Sequence, residues 1–152
     1  MRKSDLGFVR RGLSETNWQD IPDDQKAVIR REDCDKRIFA DFKRYTRDKK
    51  FKFKMFVGLS EKGERTGYVS VGESMNPTVG LPLGAILDFW VEPHHRGQGI
   101  GGRLLDYGLD YLQSQRYTHA SIMVAAGNER AMRMYKKRGF HADRINLVKK
   151  LT

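Results

Sequence analysis

The sequence lacks the disulfides that stabilise small secreted folds and the long apolar runs that span membranes. It contains one cysteine, Cys34, which has no second thiol for an intrachain disulfide. The first residues include Arg2, Lys3 and Asp5 and lead into no hydrophobic stretch, which argues against a signal peptide or a membrane span. These absences predict a protein of the reducing cytoplasm whose core forms without disulfides.

Acidic residues are also few relative to basic ones. The 29 Lys and Arg residues outnumber 19 Asp and Glu, which gives a formal net charge of +10 and indicates an anionic partner. Residues 47–54 mix cations with aromatics, as nucleic-acid surfaces do, but from Phe51 onward the alternation has the period of a strand. We therefore favour a half-buried strand here and keep a nucleic-acid-binding domain as a rival interpretation.

Material for a hydrophobic core is nevertheless present. Hydrophobic residues make up 39% of the 152 residues and aromatics 11%, enough for one core of ordinary size. Since no internal repeat, low-complexity segment or linker interrupts the sequence, we expect residues 1–152 to form a single domain.

The apolar periodicity predicts alternating helices and strands. Residues 8–13 are expected to form a short first strand, followed by two helices broken around Pro22 and near Asp33. Asn128 caps a late helix that Gly139 ends. The other predicted elements are strands over residues 51–59, 66–73, 83–91, 118–125 and 141–150, a loop over 74–82, and a helix over 99–115.

Residues 97–102 spell G-x-G-x-x-G, a fingerprint of dinucleotide-binding proteins. A glycine-rich turn at a helix N-terminus favours an anion, but this physics does not specify which anion. More than half of the chain precedes these glycines, residues 92–96 separate them from the strand, and no acidic residue lies between Asp110 and Glu129. In a dinucleotide-binding fold, the glycines follow the first strand directly and an acidic residue lies about 20 residues further on. The sequence therefore argues against this fold. A P-loop is excluded because the sequence contains no G-K-[ST].

Two motifs in this order carry a family resemblance. The first, Arg96-x-x-Gly99-x-Gly101, follows a strand that ends at Val91; the second is Asn128-x-x-Ala131-x-x-x-Tyr135-x-x-x-Gly139-Phe140. Together they resemble the GNAT superfamily of acyl-CoA-dependent N-acetyltransferases, over residues 83–140. The resemblance implies an α/β (α+β) fold with a mixed, mostly antiparallel central sheet flanked by helices on both faces.

The resemblance also implies a co-substrate, acetyl-CoA, and no metal. Backbone groups of the glycine-rich turn would hold the diphosphate, while the strand before it would splay from its neighbour and bind the pantetheine arm. Asn128 would have two roles, as the cap of a helix and as a hydrogen-bond partner of the pantetheine arm. The implied cofactor-binding residues are Phe89, Trp90, Val91, Arg96, Gly97, Gln98, Gly99, Ile100, Gly101 and Asn128.

The resemblance assigns Tyr135 as the general acid that protonates the departing CoA sulfur, against the alternative of an aromatic packed in the core. The general base does not carry over, because the family's glutamate position is Ala85 in this chain. Glu73, Asp88 and Glu92 are the candidates, and we select Glu73, at the end of a strand next to the central one. A salt-bridged or solvated carboxylate is the alternative for each.

The acceptor is expected to be a primary amine attacked directly in a ternary complex. Acidic residues near the first helices, Asp20 among them, favour a cationic amine such as a polyamine, but protein amines stay open and a homodimer is a possible assembly. His94 and His95 are expected to be surface residues, since no third ligand follows at metal spacing. A non-catalytic CoA-binding or sensing module is the alternative function.

Overall fold

The computed structural model describes residues 2–151. Within these residues, most of the helical residues precede the strands along the chain. The elements are α1 (Leu6–Asp20), α2 (Asp23–Lys26), α3 (Arg31–Arg47), β1 (Lys54–Leu59), β2 (Arg65–Asn76), β3 (Leu81–Val91), α4 (Ile100–Ser114), β4 (Ala120–Ile122) and α5 (Glu129–Lys136).

The four strands form one sheet in the order β1-β2-β3-β4. The strands β1, β2 and β3 pair antiparallel as a meander, with Tyr68 opposite Trp90, and β4 pairs parallel to β3. A parallel neighbour requires a crossover, which α4 supplies. The mostly antiparallel, mixed sheet predicted by the resemblance is confirmed.

Helices cover both faces of this sheet, as predicted, and each face has its own core. On one face α1 and α3 pack against β1–β3 through Val9, Leu13, Phe42, Met55, Tyr68 and Trp90. On the other face α4 and α5 pack through Val69, Val71, Ile86, Ile100, Leu104, Leu105, Leu112 and Tyr135. Burial of each large aliphatic side chain contributes about 2 kcal/mol.

The predicted first strand is wrong, because residues 8–13 lie inside α1. Val9 and Leu13 are four residues apart and both buried, so the short apolar pattern belongs to a helix face. Gly12 lies on the same face, where a Cβ atom would come within 2.5 Å of the Tyr68 ring and 2.9 Å of Trp90. The helix therefore approaches the sheet more closely than any larger residue would allow.

The helical region before Lys49 has a different division from the predicted one. The break near Pro22 is confirmed, since α1 ends at Asp20 and the one-turn helix α2 follows it. The second break falls before Arg31 rather than near Asp33, so α3 is one helix of 17 residues.

The predicted loop over residues 74–82 is too long. β2 continues to Asn76 and β3 begins at Leu81, opposite it, so only residues 77–80 form the turn. The Asn76 side chain accepts a hydrogen bond from Thr78 N at 3.0 Å, and Gly80 N donates to Asn76 O. An asparagine-initiated turn thus replaces the loop that Pro77 and Pro82 suggested.

Three strand boundaries also differ from the prediction. β1 begins at Lys54 because residues 49–51 form a 3-10 turn and Lys52 has φ 48°. β4 covers only Ala120–Ile122, and residues 140–151 form neither helix nor strand. In that last segment Ile145, Leu147 and Val148 are exposed.

No helix within residues 2–151 is both long and apolar enough to cross a bilayer.

Candidate active site

The two halves of β3 differ in their pairing. Val71 lies opposite Ile86 and Ser70 opposite Asp88, so Leu87 is an extra residue, a β-bulge. β4 pairs only with residues 84–86, immediately before this bulge. After the bulge β3 keeps β2 on one side and has no strand partner among the described residues on the other. The splayed strand that the resemblance implied is therefore present, with an open backbone edge.

The opening between the separated strands is a cleft of about 410 Å³. Its walls are residues 86–89 of β3, residues 122–125 at the end of β4, and the α5 side chains of Ala131 and Tyr135. The C-terminal part of α1 closes it through Thr16, Asn17 and Asp20. A cleft of this size suits a small-molecule site.

The glycine-rich turn leads from β3 into α4. Gly97 and Gly99 have φ of 83° and 75°, which side chains with a Cβ rarely adopt, and Gly99 is the N-cap of α4. Arg96 donates from Nε to Val91 O at 3.0 Å, which fixes the entry to the turn. The turn is exposed and the first N–H groups of α4 lack intrahelical partners. This cradle of backbone donors can bind an anion.

The residues predicted to hold the pantetheine arm have different surroundings. The side chain of Phe89 lines the cleft, whereas Trp90 points to the opposite face, where its Nε1 donates to Glu15 at 3.1 Å. Asn128 Oδ1 accepts from Ala131 N, so the predicted cap of α5 is confirmed. The Asn128 amide nitrogen also donates across the cleft mouth to Asp20 at 3.4 Å. The cofactor-binding roles stay predictions.

Tyr135 lies in the wall of the cleft and in the core at once. Its residue is 7% exposed, and its ring packs edge-on against Phe89 and Phe140. Its hydroxyl has no hydrogen-bond partner within residues 2–151. Burial, together with the negative charges of Asp20 and Asp88, raises the pKa of Tyr135 to about 12. The phenol is therefore protonated at neutral pH and able to donate a proton.

Asp88 lines the cleft in the part of β3 that follows the bulge. Burial raises the pKa of Asp88 to about 7, against the lowering effect of hydrogen bonds from Tyr68 and from the Phe89 backbone; the charge of Asp20 acts with burial. The Tyr68 hydroxyl donates to Asp88 Oδ2 at 2.6 Å. Tyr68 is fully buried, so it holds Asp88 in one orientation. A carboxyl group with a pKa near neutrality can take up and release protons at working pH.

The other two base candidates do not line the cleft. Glu73 Oε2 accepts hydrogen bonds from Lys52 Nζ and from the Tyr117 hydroxyl, each at 2.6 Å. These hydrogen bonds lower the pKa of Glu73, the one from Lys52 most. Glu92 forms an ion pair with Arg11. The selection of Glu73 as base stays untested, and its ion pair favours Asp88 instead.

Sequence reasoning missed the contribution of α1 and Tyr68. The sequence does not indicate a site at Thr16 and Asn17, because residues 8–13 are predicted to form a strand. Asp20 is predicted only as one of several acidic residues that favour a cationic amine. The available signal was the spacing of Thr16 and Asp20, which lie four residues apart on one helical face.

One of the basic residues near α5, Arg138, forms an ion pair with a neighbouring helix. Arg138 forms a bidentate ion pair with Asp106 of α4, at 2.5 and 3.0 Å, and donates to Met134 O. This pair ties the end of α5 to α4. His94 and His95 lie in a 3-10 turn, and the described residues contain no group of three or more side chains able to hold a metal.

Comparison with known proteins agrees with this geometry. The model of the acetyltransferase (GNAT) family matches residues 16–140. Mycothiol acetyltransferases are similar over shorter stretches: that of Acidothermus cellulolyticus is 41% identical over 59 residues, 39% of this chain and 18% of that protein. That of Acidimicrobium ferrooxidans is 39% identical over 67 residues, 44% of this chain and 22% of that protein. The chain thus spans about a fifth of the length of these relatives.

A solved structure extends the likeness to nearly the whole chain. A protein from Pyrococcus furiosus, provisionally named an acetyl transferase, superposes with a TM-score of 0.80 and covers 98% of this chain and 95% of its own. Its sequence is 21% identical, so this likeness concerns the fold alone.

Proposed function

Because the chain belongs to the GNAT acetyltransferase family, we propose that it transfers an acetyl group from acetyl-CoA to a primary amine by direct attack in a ternary complex. The observation that carries this proposal is the pairing of Asp88 and Tyr135 in one cleft. One is a carboxyl group with a pKa of about 7 and the other a phenol with a pKa of about 12. A base and an acid separated in this way can both act near neutral pH.

Asp88 removes a proton from the incoming ammonium group, which frees the nitrogen lone pair for attack. Tyr68 supports this step by donating to Oδ2, which holds the carboxyl group in one orientation for the proton transfer. Bound acetyl-CoA supplies the thioester carbonyl that the amine attacks. As the new C–N bond forms and the C–S bond breaks, Tyr135 donates its proton to the sulfur that leaves, and the second proton lost by the nitrogen restores the Tyr135 phenol.

The open edge of β3 provides the electrostatic part of the mechanism. After Leu87, β3 has no strand partner on the cleft side within the described residues, so backbone N–H groups of this edge that are not bonded to Asp88 can stabilise negative charge on the carbonyl oxygen. Removing one such donor in other enzymes costs about 3 kcal/mol of transition-state stabilisation. The glycine-rich turn between β3 and α4 anchors the diphosphate at the same end of the sheet.

The experiment combines binding with turnover. Calorimetric titration with acetyl-CoA, CoA and NAD tests the anchor, and we expect saturable heat with the two CoA compounds only. A panel of primary amines is then assayed by the free thiol of released CoA, and mass spectrometry identifies the acetylated amine. Gly99→Val is the matched variant, since a β-branched residue at φ 75° distorts the turn without touching Asp88 or Tyr135.

Two outcomes contradict this proposal in different ways. If NAD gives as much heat of binding as acetyl-CoA, or if acetyl-CoA gives none, the proposed diphosphate site is contradicted, and with it the acetyltransferase activity. Binding of acetyl-CoA without thiol release for any amine, in the wild type, favours a CoA-binding or sensing module with the same fold.

A further inference from the structure

The cleft differs in charge from the rest of the molecule. The chain as a whole carries a formal net charge of +10. Of the described residues that line the cleft, two are the carboxylates Asp20 and Asp88, and none is Lys, Arg or His. A negative site in a positive protein has to be maintained by local residues, since the field of the whole chain repels a cation.

The last two turns of α1 form the acceptor end of the cleft. Asn17 donates from Nδ2 to Leu13 O at 2.9 Å, which leaves its side-chain oxygen as an acceptor. Thr16 lies on the same wall, with its Oγ1 buried. Asp20 follows one turn later and is held by the amide of Asn128 at 3.4 Å. The side-chain oxygens of Asn17 and Asp20 therefore lie on this wall.

Asp20 and Asp88 have separate environments. Asp88 is half-buried and held by Tyr68, whereas Asp20 is exposed and contacts Asn128 between α1 and α5. They are close enough that the charge of Asp20 raises the pKa of both Asp88 and Tyr135. The two carboxylates can therefore contact two different groups of one extended molecule.

We propose that Asp20 determines acceptor specificity by binding a second positive charge, so that the acceptor is a dicationic amine rather than a monoamine or an amino acid. This inference rests on the proposed function and adds the substrate class. One ammonium group of the acceptor loses its proton to Asp88, and the other stays charged beside Asp20. A carboxylate at the far end of the acceptor would meet Asp20 as a like charge.

The test uses acceptors that differ only in their far end. For carbon chains of three to six atoms, kcat/KM is measured for the α,ω-diamine, the monoamine and the ω-amino acid, each at saturating acetyl-CoA. We expect the order diamine, monoamine, amino acid at the best chain length. A charge-assisted contact supports a preference of about tenfold for the diamine over the monoamine.

Asp20→Asn removes the charge and keeps an oxygen that can accept from Asn128. We expect it to abolish the preference for the diamine while turnover of the monoamine continues. Asp24→Asn is the matched control, since Asp24 is exposed on the neighbouring helix α2 and does not line the cleft. It should leave the preference intact. Asp20→Lys should favour the ω-amino acid over the diamine.

The outcomes separate this inference from the function on which it rests. Thiol release with equal kcat/KM for the three acceptor types, or a diamine preference that survives in Asp20→Asn, overturns the inference and leaves the acetyltransferase in place. Absence of thiol release with every amine overturns both.

Discussion

The two ends of the sheet carry the same pair of groups in different surroundings. At one end the Tyr117 hydroxyl donates to Glu73 at 2.6 Å, and at the other the Tyr68 hydroxyl donates to Asp88 at the same distance. Lys52 stands beside Glu73 and lowers the pKa of that carboxyl group. Burial without a cation raises the pKa of Asp88 to about 7. The tyrosine hydrogen bond alone therefore does not decide the charge state.

The difference explains why we assign chemistry to one end only. The Glu73 carboxylate is ionised at neutral pH and ties β2 to Lys52 and to Tyr117, beyond the end of α4. Asp88 titrates near neutrality and lines the cleft. A group that exchanges protons at working pH is suited to general base catalysis, and one held charged by a lysine is suited to structure.

The largest expected effect comes from removing the carboxyl group of Asp88, and the matching substitution of Glu73 is the comparison. We expect Asp88→Asn to lower kcat/KM for the amine by about 10³-fold, the usual contribution of a positioned base. Glu73→Gln should change it by less than about threefold, as for a surface ion pair. Steady-state thiol release measures both. The reverse result would make Glu73 the base, as the sequence suggested.

The acid gives the next largest effect. We expect Tyr135→Phe to lower kcat by about 10²-fold, with the Kd for acetyl-CoA unchanged, because the packing against Phe89 remains while the proton is lost. Tyr117→Phe makes the same chemical change at the Glu73 end and should leave kcat near that of the wild type. An unchanged kcat in Tyr135→Phe would make this residue a packing aromatic.

A smaller effect distinguishes positioning from catalysis. Tyr68 lowers the pKa of Asp88 through its hydrogen bond, so Tyr68→Phe should raise that pKa and move the acid limb of the pH profile for kcat/KM to higher pH. Below the wild-type midpoint the rate should fall by about tenfold, the effect of one hydrogen bond to a charged group. Recovery at high pH is the signature; a uniform loss at all pH values would indicate a structural defect instead.

The smallest effect is on stability, and it has opposite signs at the two ends. The pKa of Asp88 is higher in the folded state than in the unfolded state. The stability that protonated Asp88 contributes is therefore fully present below the unfolded-state pKa and is lost as pH rises through about 7. Asp88→Asn should therefore raise the free energy of unfolding by on the order of 2 kcal/mol at about pH 8 and have little effect near pH 3.

Glu73 should behave in the opposite way. Its lowered pKa gives stability that is present above the unfolded value and is lost as pH falls through the folded one. Glu73→Gln should thus destabilise slightly at neutral pH and become neutral in acid. Denaturant titrations of both variants across the pH range measure this contrast, and equal signs would contradict it.

Local chemistry in the sequence predicted much of this molecule. The pattern from residue 83 to 91 and the stripe from residue 99 to 115 correspond to β3 and α4, and Asn128 caps α5 as expected. The family motifs also led to the turn at Gly99 and to Tyr135. These features depend on residues close in sequence, where periodicity and capping are decisive.

The features that the sequence did not predict depend on contacts between distant residues. The choice between Glu73 and Asp88 is made by Lys52, which lies 21 positions from Glu73 and lowers its pKa, and by the burial that raises the pKa of Asp88. The helical state of residues 8–13 follows from packing on Tyr68 and Trp90. The final predicted strand is wrong, because residues 141–150 pair with neither edge strand of the described sheet, β1 or β4.

The close contact at Gly12 fixes the tilt of α1 on the sheet. Gly12 packs against Tyr68 and Trp90, and Asp20 is eight residues further along, about 12 Å of helix at the usual rise. A methyl group added at residue 12 would tilt the helix, and the resulting displacement would increase toward Asp20. Varying residue 12 together with the Tyr68 and Trp90 rings would therefore shift the position of Asp20, although residue 12 does not line the cleft.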